Sequence, residues 1–324
     1  ILIYIGAIMT LFPIFFAEIE NDLRRVLAYS LNNQLGFMVV GVGIGTEMAL
    51  NGTASHAFAH ILYKALLFMS VGAVLFRTGT SKASELGGLC RTMPATAIFC
   101  LIGAASISAF PLFSGFVTKS LIVDATAENH YTLIWAVLVF ASAGVLSHSG
   151  IKIPYFTFFG HDSGLRPKEA PMHMLVAMGL TAFLCIYIGV NPKPLYALLP
   201  YEVEYHPYTM NHIIAQLQLL CFALLAFVVL MKSGLHPPEV RSINLDTDWI
   251  YRRMLPDVVT RFSLGFADVW QSAGQSARMF FVDTYRWLEK LLGPETGISG
   301  VRPVGIMTLW VSVLLSVSLI MAYF

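Results

Sequence analysis

An all-α fold that crosses a membrane several times is what this sequence predicts, and three observations predict it. Apolar residues make up 56% of the 324 and charged residues only 12%, with a mean hydropathy of +0.70, whereas soluble domains carry about a quarter charged residues. Apolar runs of about 20 residues, the length that spans a bilayer as a helix, recur about eight times. The basic residues between those runs fall almost entirely on one set of alternate loops.

The runs lie at 1–17, 27–46, 54–76, 94–124, 131–159, 172–190, 211–232 and 303–324. Sixteen of the twenty Lys and Arg, from Arg24 and Arg25 through Arg77 and Arg91 to Arg302, fall on one side of that topology, and Lys193 alone falls on the other. Basic loops face the cytoplasm or its equivalent, so Phe324 faces the opposite side. The remaining three, Lys64, Lys119 and Lys152, lie inside spans.

The net charge of +1 gives no footprint for nucleic acid. Cys90, Cys100, Cys185 and Cys221 are far apart and form no CxxC pair, so neither a disulfide framework nor a zinc site is expected. The chain begins Ile1-Leu-Ile-Tyr-Ile with no basic lead-in, which argues against a signal peptide. It reads as the later part of a longer polypeptide.

In the third span His56, His60 and Lys64 are each four residues apart, so they share one helix face. Ionisable groups at membrane depth are costly and are functional candidates by default. Three on one stripe fit a proton relay, since imidazole titrates near neutrality and lysine responds to burial. A metal pair is a weaker reading, because no Cys or carboxylate third ligand stands nearby and no HExxH glutamate is present. A polar stripe that joins helices remains a third.

The fourth run is too long for one plain helix and contains Pro111 and Gly115, with Lys119 just beyond. Proline removes a backbone hydrogen bond and clashes with the preceding turn. A discontinuous helix with a lysine beside the break is a recurrent way to build an ion site; the plainer alternative is a kink with Lys119 snorkelling outward. The fifth run carries His148 and Lys152, again four apart, with Pro154 after them. Lys152 reads first as a structural cation, within snorkelling reach of the cytoplasmic end and able to meet carbonyls freed by Pro154. It stays a proton-transfer candidate beside His148, which is open between structure and proton transfer. From Ser242 to Gly293 apolar residues such as Trp249, Phe262, Phe266, Trp270 and Phe281 recur at helical spacing, the pattern of amphipathic helices on a membrane surface or against partner subunits. Pro237, Pro238 and Pro256 are expected to break that stretch into pieces.

The segments Asp22-Leu-Arg-Arg-Val-Leu-Ala-Tyr-Ser30 with Asn33-Gln-Leu-Gly36, His56-Ala-Phe-Ala-His-Ile-Leu-Tyr-Lys-Ala-Leu-Leu-Phe68, Gly87-Gly-Leu89 and Ser108-Ala-Phe-Pro-Leu-Phe-Ser-Gly-Phe-Val-Thr-Lys119 resemble the antiporter-like membrane subunits. Those are the proton-pumping subunits of respiratory complex I and membrane-bound hydrogenases and their counterparts in Mrp-type sodium/proton antiporters. Asn244-Leu-Asp-Thr-Asp-Trp249 and Ile153-Pro-Tyr-Phe-Thr-Phe-Phe159 look most similar to the D-type members of the Mrp antiporters.

The resemblance implies a fourteen-helix core of two inverted five-helix repeats, each with a broken helix and a half-channel. This chain would hold the second repeat at 1–160, further transmembrane helices at 161–232, an amphipathic interfacial segment at 233–302 and a last transmembrane helix at 303–324. Lys119 matches the family's proton-exit lysine, His60 and Lys64 match its relay, and His56 extends that line. The key glutamate and lysine of the family's first repeat have no counterpart here. The implied function is proton translocation within a multisubunit Mrp-type Na+/H+ antiporter, or alternatively within a redox complex such as NADH:quinone oxidoreductase or a hydrogenase. Other membrane subunits, the lipid bilayer, protons and Na+ are the implied partners, without nucleic acid, metal or cofactor. No catalytic motif is read in the chain. The implied location is a bacterial inner (plasma) membrane.

Overall fold

In a computed structural model the chain is all-helical, and the structure describes residues 1–235, 239–240, 247–292 and 304–323. No strand occurs among these; one isolated bridge joins Asp22 to Lys82. The helices are α1 (Leu2–Ile19), α2 (Leu23–Ile44), α3 (Glu47–Thr78), α4 (Pro94–Ile107), α5 (Ser114–Glu128), α6 (Thr132–Phe159), α7 (Met172–Val190), α8 (Met210–Ser233), α9 (Leu255–Leu292) and α10 (Val304–Tyr323). The chain divides into two compact units, Ile1–Asn244 and Leu245–Phe324.

Each expected span has a helical counterpart, and the protein is an integral, multi-pass membrane protein. Among the described residues six helices, α1, α3, α6, α7, α8 and α10, are long and apolar enough to cross a membrane. The other two spans depart for physical reasons. Helix α2 runs 22 residues but carries Ser30, Asn33 and Gln34, all buried, so its polar face is turned inward. The fourth span is split into α4 and α5.

Local chemistry sets the ends. Asp22 caps α2 by accepting from the Arg24 N–H at 2.9 Å, and Pro94 starts α4, where its missing N–H costs nothing. Helices α1 and α2 pack backbone against backbone: a Cβ on Gly36 would stand 2.5 Å from the Thr10 nitrogen, so only glycine permits the approach. The core of the first unit lies between α3, α4 and α7, with Tyr63, Leu67, Met93 and Met178 fully buried.

Loop contacts sort by membrane face. At one end Leu23 N–H donates to Ser81 O (2.9 Å), Ser163 Oγ to Gly87 O (3.0 Å) and Thr96 Oγ1 to Glu169 Oε1 (2.6 Å). At the other, Asn51 Nδ2 donates to Tyr201 O (3.0 Å), Tyr196 OH to Val117 O (2.6 Å) and Tyr205 OH to Asp124. These are the two loop sets that the charge asymmetry separates; the first is the basic one.

In the second unit the expected set of amphipathic pieces is instead one continuous helical run, 247–292, in which π-helical turns at Ile250–Met254 lead straight into the 38-residue α9. Pro256 lies inside that run without breaking it, because the wide π-helical turns at Ile250–Met254 come directly before it and take up the backbone bond that proline cannot make. Pro237 and Pro238 lie outside the described residues. The apolar residues of α9, among them Phe262, Phe266, Trp270 and Phe281, are exposed within the unit.

Candidate functional site

The break between α4 and α5 positions the first group. Helix α4 ends at Ile107, Ala109 and Leu112 take φ of +57° and +75°, and α5 begins at Ser114. Left-handed conformations cost a non-glycine residue about 1–2 kcal/mol each, so the surrounding packing fixes this turn. Pro111 lies within the break. Gly115 lies one residue inside α5, and a Cβ there would collide with the Ser106 carbonyl; it sets how closely α5 crosses the end of α4. Ser106 and Ser114 hydroxyls meet across the break at 2.8 Å.

A helix C-terminus leaves carbonyls unpaired and concentrates partial negative charge. Lys119 answers that end. Its Nζ donates to Ile107 O at 3.4 Å and to Ser142 Oγ on α6 at 3.3 Å, and stands 4.9 Å from the centre of the Phe37 ring. The side chain is 3% exposed. Gln216 of α8 serves the neighbouring carbonyl, Ser108 O, at 3.2 Å. The snorkelling alternative is thus not the arrangement found: Lys119 reaches back toward the break.

His56, His60 and Lys64 lie on one buried face of α3. His56 faces α5 through Nδ1 to Thr118 Oγ1 (3.3 Å) and α2 through Nε2 to Gln34 Oε1 (3.2 Å). Tyr63 OH donates to the same Gln34 Oε1 at 3.2 Å, Gln34 Nε2 donates to Asn33 Oδ1 at 2.6 Å, and Asn33 exchanges hydrogen bonds with Thr10 on α1. The stripe therefore continues as a neutral network through α2 to α1.

His60 Nε2, Lys64 Nζ and His148 Nε2 are buried and have no hydrogen-bond partner among the described residues. Buried polar atoms are rarely left so, and water or a partner group meets them. His60 is within electrostatic reach of Lys64 and Lys119, and His148 of Lys64, Lys152 and Lys119. The groups thus form one line from α5 through α3 to α6. Three or more potential ligands at metal-site spacing do not occur among the described residues.

His148 and Lys152 lie where α6 loosens into π-helical turns, Leu146–Ile151 and Tyr155–Phe159, on either side of Lys152–Pro154. Pro154 cannot donate, and wide turns of this kind are frequent at functional sites. His148 Nδ1 meets Ser149 Oγ at 2.8 Å, which donates to Ser30 Oγ at 2.9 Å. Lys152 is held differently. Its Nζ donates to Ala17 O (3.4 Å), Glu18 O (2.5 Å) and Glu20 O (2.8 Å), and pairs with Glu239 Oε1 at 2.9 Å. These carbonyls come from the α1–α2 turn rather than from Pro154.

Beyond Lys119 a cavity of about 390 Å³ opens between α5, α6 and α8, lined by Lys119, Asp124, Ser142, His212 and Gln216 among others. Asp124 accepts from Tyr205 of the outer loop. Thr118, Gln34, Tyr63, Ser142 and His212 were not legible as site residues. The neutral ones carry no ionisable signal and meet only through helix crossings, and His212 reads in sequence as an interfacial first-turn residue.

Residues 1–146 match the family described as NADH:quinone oxidoreductase/Mrp antiporter, TM. The chain is 27% identical over 328 aligned residues to NADH-ubiquinone oxidoreductase chain 5 of Dictyostelium citrinum, covering 93% of this chain and 48% of that one. Its fold resembles a chain of the membrane-bound sulfane sulfur reductase, an archaeal respiratory membrane complex, with TM-score 0.58 at 21% identity over 98% of this chain and 55% of that one. It also resembles a chain of the Mrp complex from Dietzia sp. DQ12-45-1b, with TM-score 0.54 at 23% identity over 60% of this chain and 45% of that one. The chain thus spans about half the length of these relatives.

Proposed function

We propose, from the premise that the chain belongs to the antiporter-like superfamily of membrane subunits, that it is a proton-translocating subunit of a multisubunit ion-translocating membrane complex. The observation that carries this reading is the buried line of Lys119, His56, His60, Lys64 and His148, with three unpartnered polar atoms along it.

In this reading water links the unpartnered groups, and the charge on each biases the protonation of the next. Lys64 and the histidines pass protons laterally, and Lys119 hands them to the cavity on the outer side. The carbonyl end of α4 and Ser142 hold the Lys119 ammonium when it is charged, and contacts so few are little to lose when it is neutral. Residues 1–160 would form the second repeat, 161–232 further spans, 233–302 an interfacial segment with α9 against membrane or partner subunits, and 303–324 the closing span.

Two kinds of complex fit the family. One is the Mrp-type Na+/H+ antiporter that the sequence resemblance favours. The other is a redox-driven pump, favoured by the alignment to NADH-ubiquinone oxidoreductase chain 5 that runs through 93% of the chain. We take the redox-driven pump as the better supported of the two. A bacterial plasma membrane is the location proposed with either.

The test is to purify the complex from native membranes through a tag on this protein and seal it in vesicles with an internal pH dye. Proton uptake driven by an electron donor supports the redox reading, and uptake driven only by a Na+ gradient supports the antiporter. Vesicles that answer to neither overturn the proposal.

A further inference from the structure

Lys119 does not stand at the outer surface, so on the reading above its proton needs a further acceptor, and the cavity beyond it holds one. His212 lies in the first turn of α8, and its ring stacks on Phe116 with centroids 4.3 Å apart and planes 12° apart. Phe116 precedes Lys119 by three residues on α5, so the two share a helix face. His212 Nδ1 is 2.7 Å from the Pro207 carbonyl. A carbonyl only accepts, so Nδ1 carries the hydrogen, and in the neutral ring Nε2 is then the proton acceptor.

The cavity volume of about 390 Å³ accommodates on the order of ten waters at their liquid volume. The titratable groups around it are Lys119 and Asp124 from α5 and His212 from α8, while α6 contributes Trp135, Val139 and Ser142, which do not titrate in the working range. Tyr205 and Tyr208 flank it from the outer loop. Burial raises both phenols, and the Asp124 carboxylate raises Tyr205 further. Asp124 accepts the Tyr205 hydroxyl on Oδ2, which ties that carboxylate to the outer loop, and the His212 imidazole supplies a separate acceptor from α8.

We infer that His212 is the proton-transfer group that receives the proton leaving Lys119 and delivers it to the outer face. The step balances simply: an N–H bond breaks at Lys119, one forms at His212 Nε2 through the intervening water, and the imidazolium releases a proton outward. The stack on Phe116 and the bond to Pro207 O fix the ring so that Nε2 keeps this role in every cycle.

The experiment is proton translocation by the assembled complex in vesicles, comparing wild type with His212→Phe, which preserves the ring stack, and with Lys119→Ala as the control for the underlying reading. The expected result is a fall of about tenfold or more in the His212→Phe rate, loss of one inflection from its pH profile, and partial rescue by added imidazole. A His212→Phe rate and pH profile equal to wild type overturn the inference while leaving the function standing, provided Lys119→Ala is inactive. A loss that imidazole does not restore, with the pH profile unmoved, makes His212 structural and also overturns it. If Lys119→Ala transports normally, the function itself is what fails.

Discussion

Lys119 and Lys152 are almost equally buried in the same helical unit, and they are held in opposite ways. Lys152 is saturated: three main-chain carbonyls and the Glu239 carboxylate surround its ammonium. Lys119 has one carbonyl and one hydroxyl at 3.3–3.4 Å, a ring face, and a cavity. An ammonium saturated by oxygens loses all those charged contacts on deprotonation and leaves a carboxylate stranded. One with few partners beside a cavity loses little. Burial alone therefore does not distinguish a proton carrier from an anchor; the set of partners does. On this account Lys152, a candidate for proton transfer on sequence alone, is the anchor that ties α6 to the α1–α2 turn and to Glu239.

The largest effect expected on stability is at the anchor. Lys152→Met removes one side of a buried ion pair and should destabilise the fold by about 3–5 kcal/mol, read as a lower unfolding temperature of the detergent-solubilised complex. Transport per assembled complex should change far less. Lost transport with unchanged stability would break the comparison. Gly115→Ala comes next: its Cβ runs into the Ser106 carbonyl, and overpacking of that kind costs about 1–3 kcal/mol. Because it shifts α5 on α4, it should also slow transport by displacing Lys119, so stability and flux should fall together.

Gln34→Leu sharpens the comparison from the neutral side. It strips His56 Nε2 and the Tyr63 hydroxyl of a shared acceptor, and unpaired buried donors cost about 1–3 kcal/mol. Tyr63→Phe in the same background should recover part of that loss, because it removes one of the stranded donors; a double variant less stable than Gln34→Leu alone would contradict the network.

The smallest effect is at an exposed charge. Asp162 is held below the usual carboxylate range by the Arg166 guanidinium and the Gly164 N–H. A depressed carboxyl stabilises the fold above its unfolded value, about 3.9, and that contribution is lost as pH falls through the folded value. Asp162→Asn should thus lower stability only slightly at neutral pH, converge on wild type in acid, and leave transport unchanged. Exposed pairs are worth little.

The spans were legible because hydropathy over about 20 residues and the one-sided distribution of Lys and Arg are both set by the bilayer. The break was legible from Pro111, but its geometry was not: Ala109 and Leu112 take the left-handed turns and Gly115 serves the crossing. Lys119, His56, His60 and Lys64 could be named because ionisable groups are conspicuous among apolar residues. Their neutral neighbours could not, since Gln34, Thr118 and Ser142 reach the line from three other helices. Glu239 follows a Pro-Pro pair far along the chain, and nothing local points it toward Lys152. The unbroken run around Pro256 was not legible, because the π-helical turns at Ile250–Met254 that accommodate the proline leave no mark in the sequence.

The most direct test of the central claim is proton flux through the assembled complex with Lys119→Ala and Lys119→Arg. Arginine keeps the charge but does not release a proton in proteins, so both variants should assemble and both should lose at least tenfold in rate. Wild-type flux in the alanine variant would contradict the account.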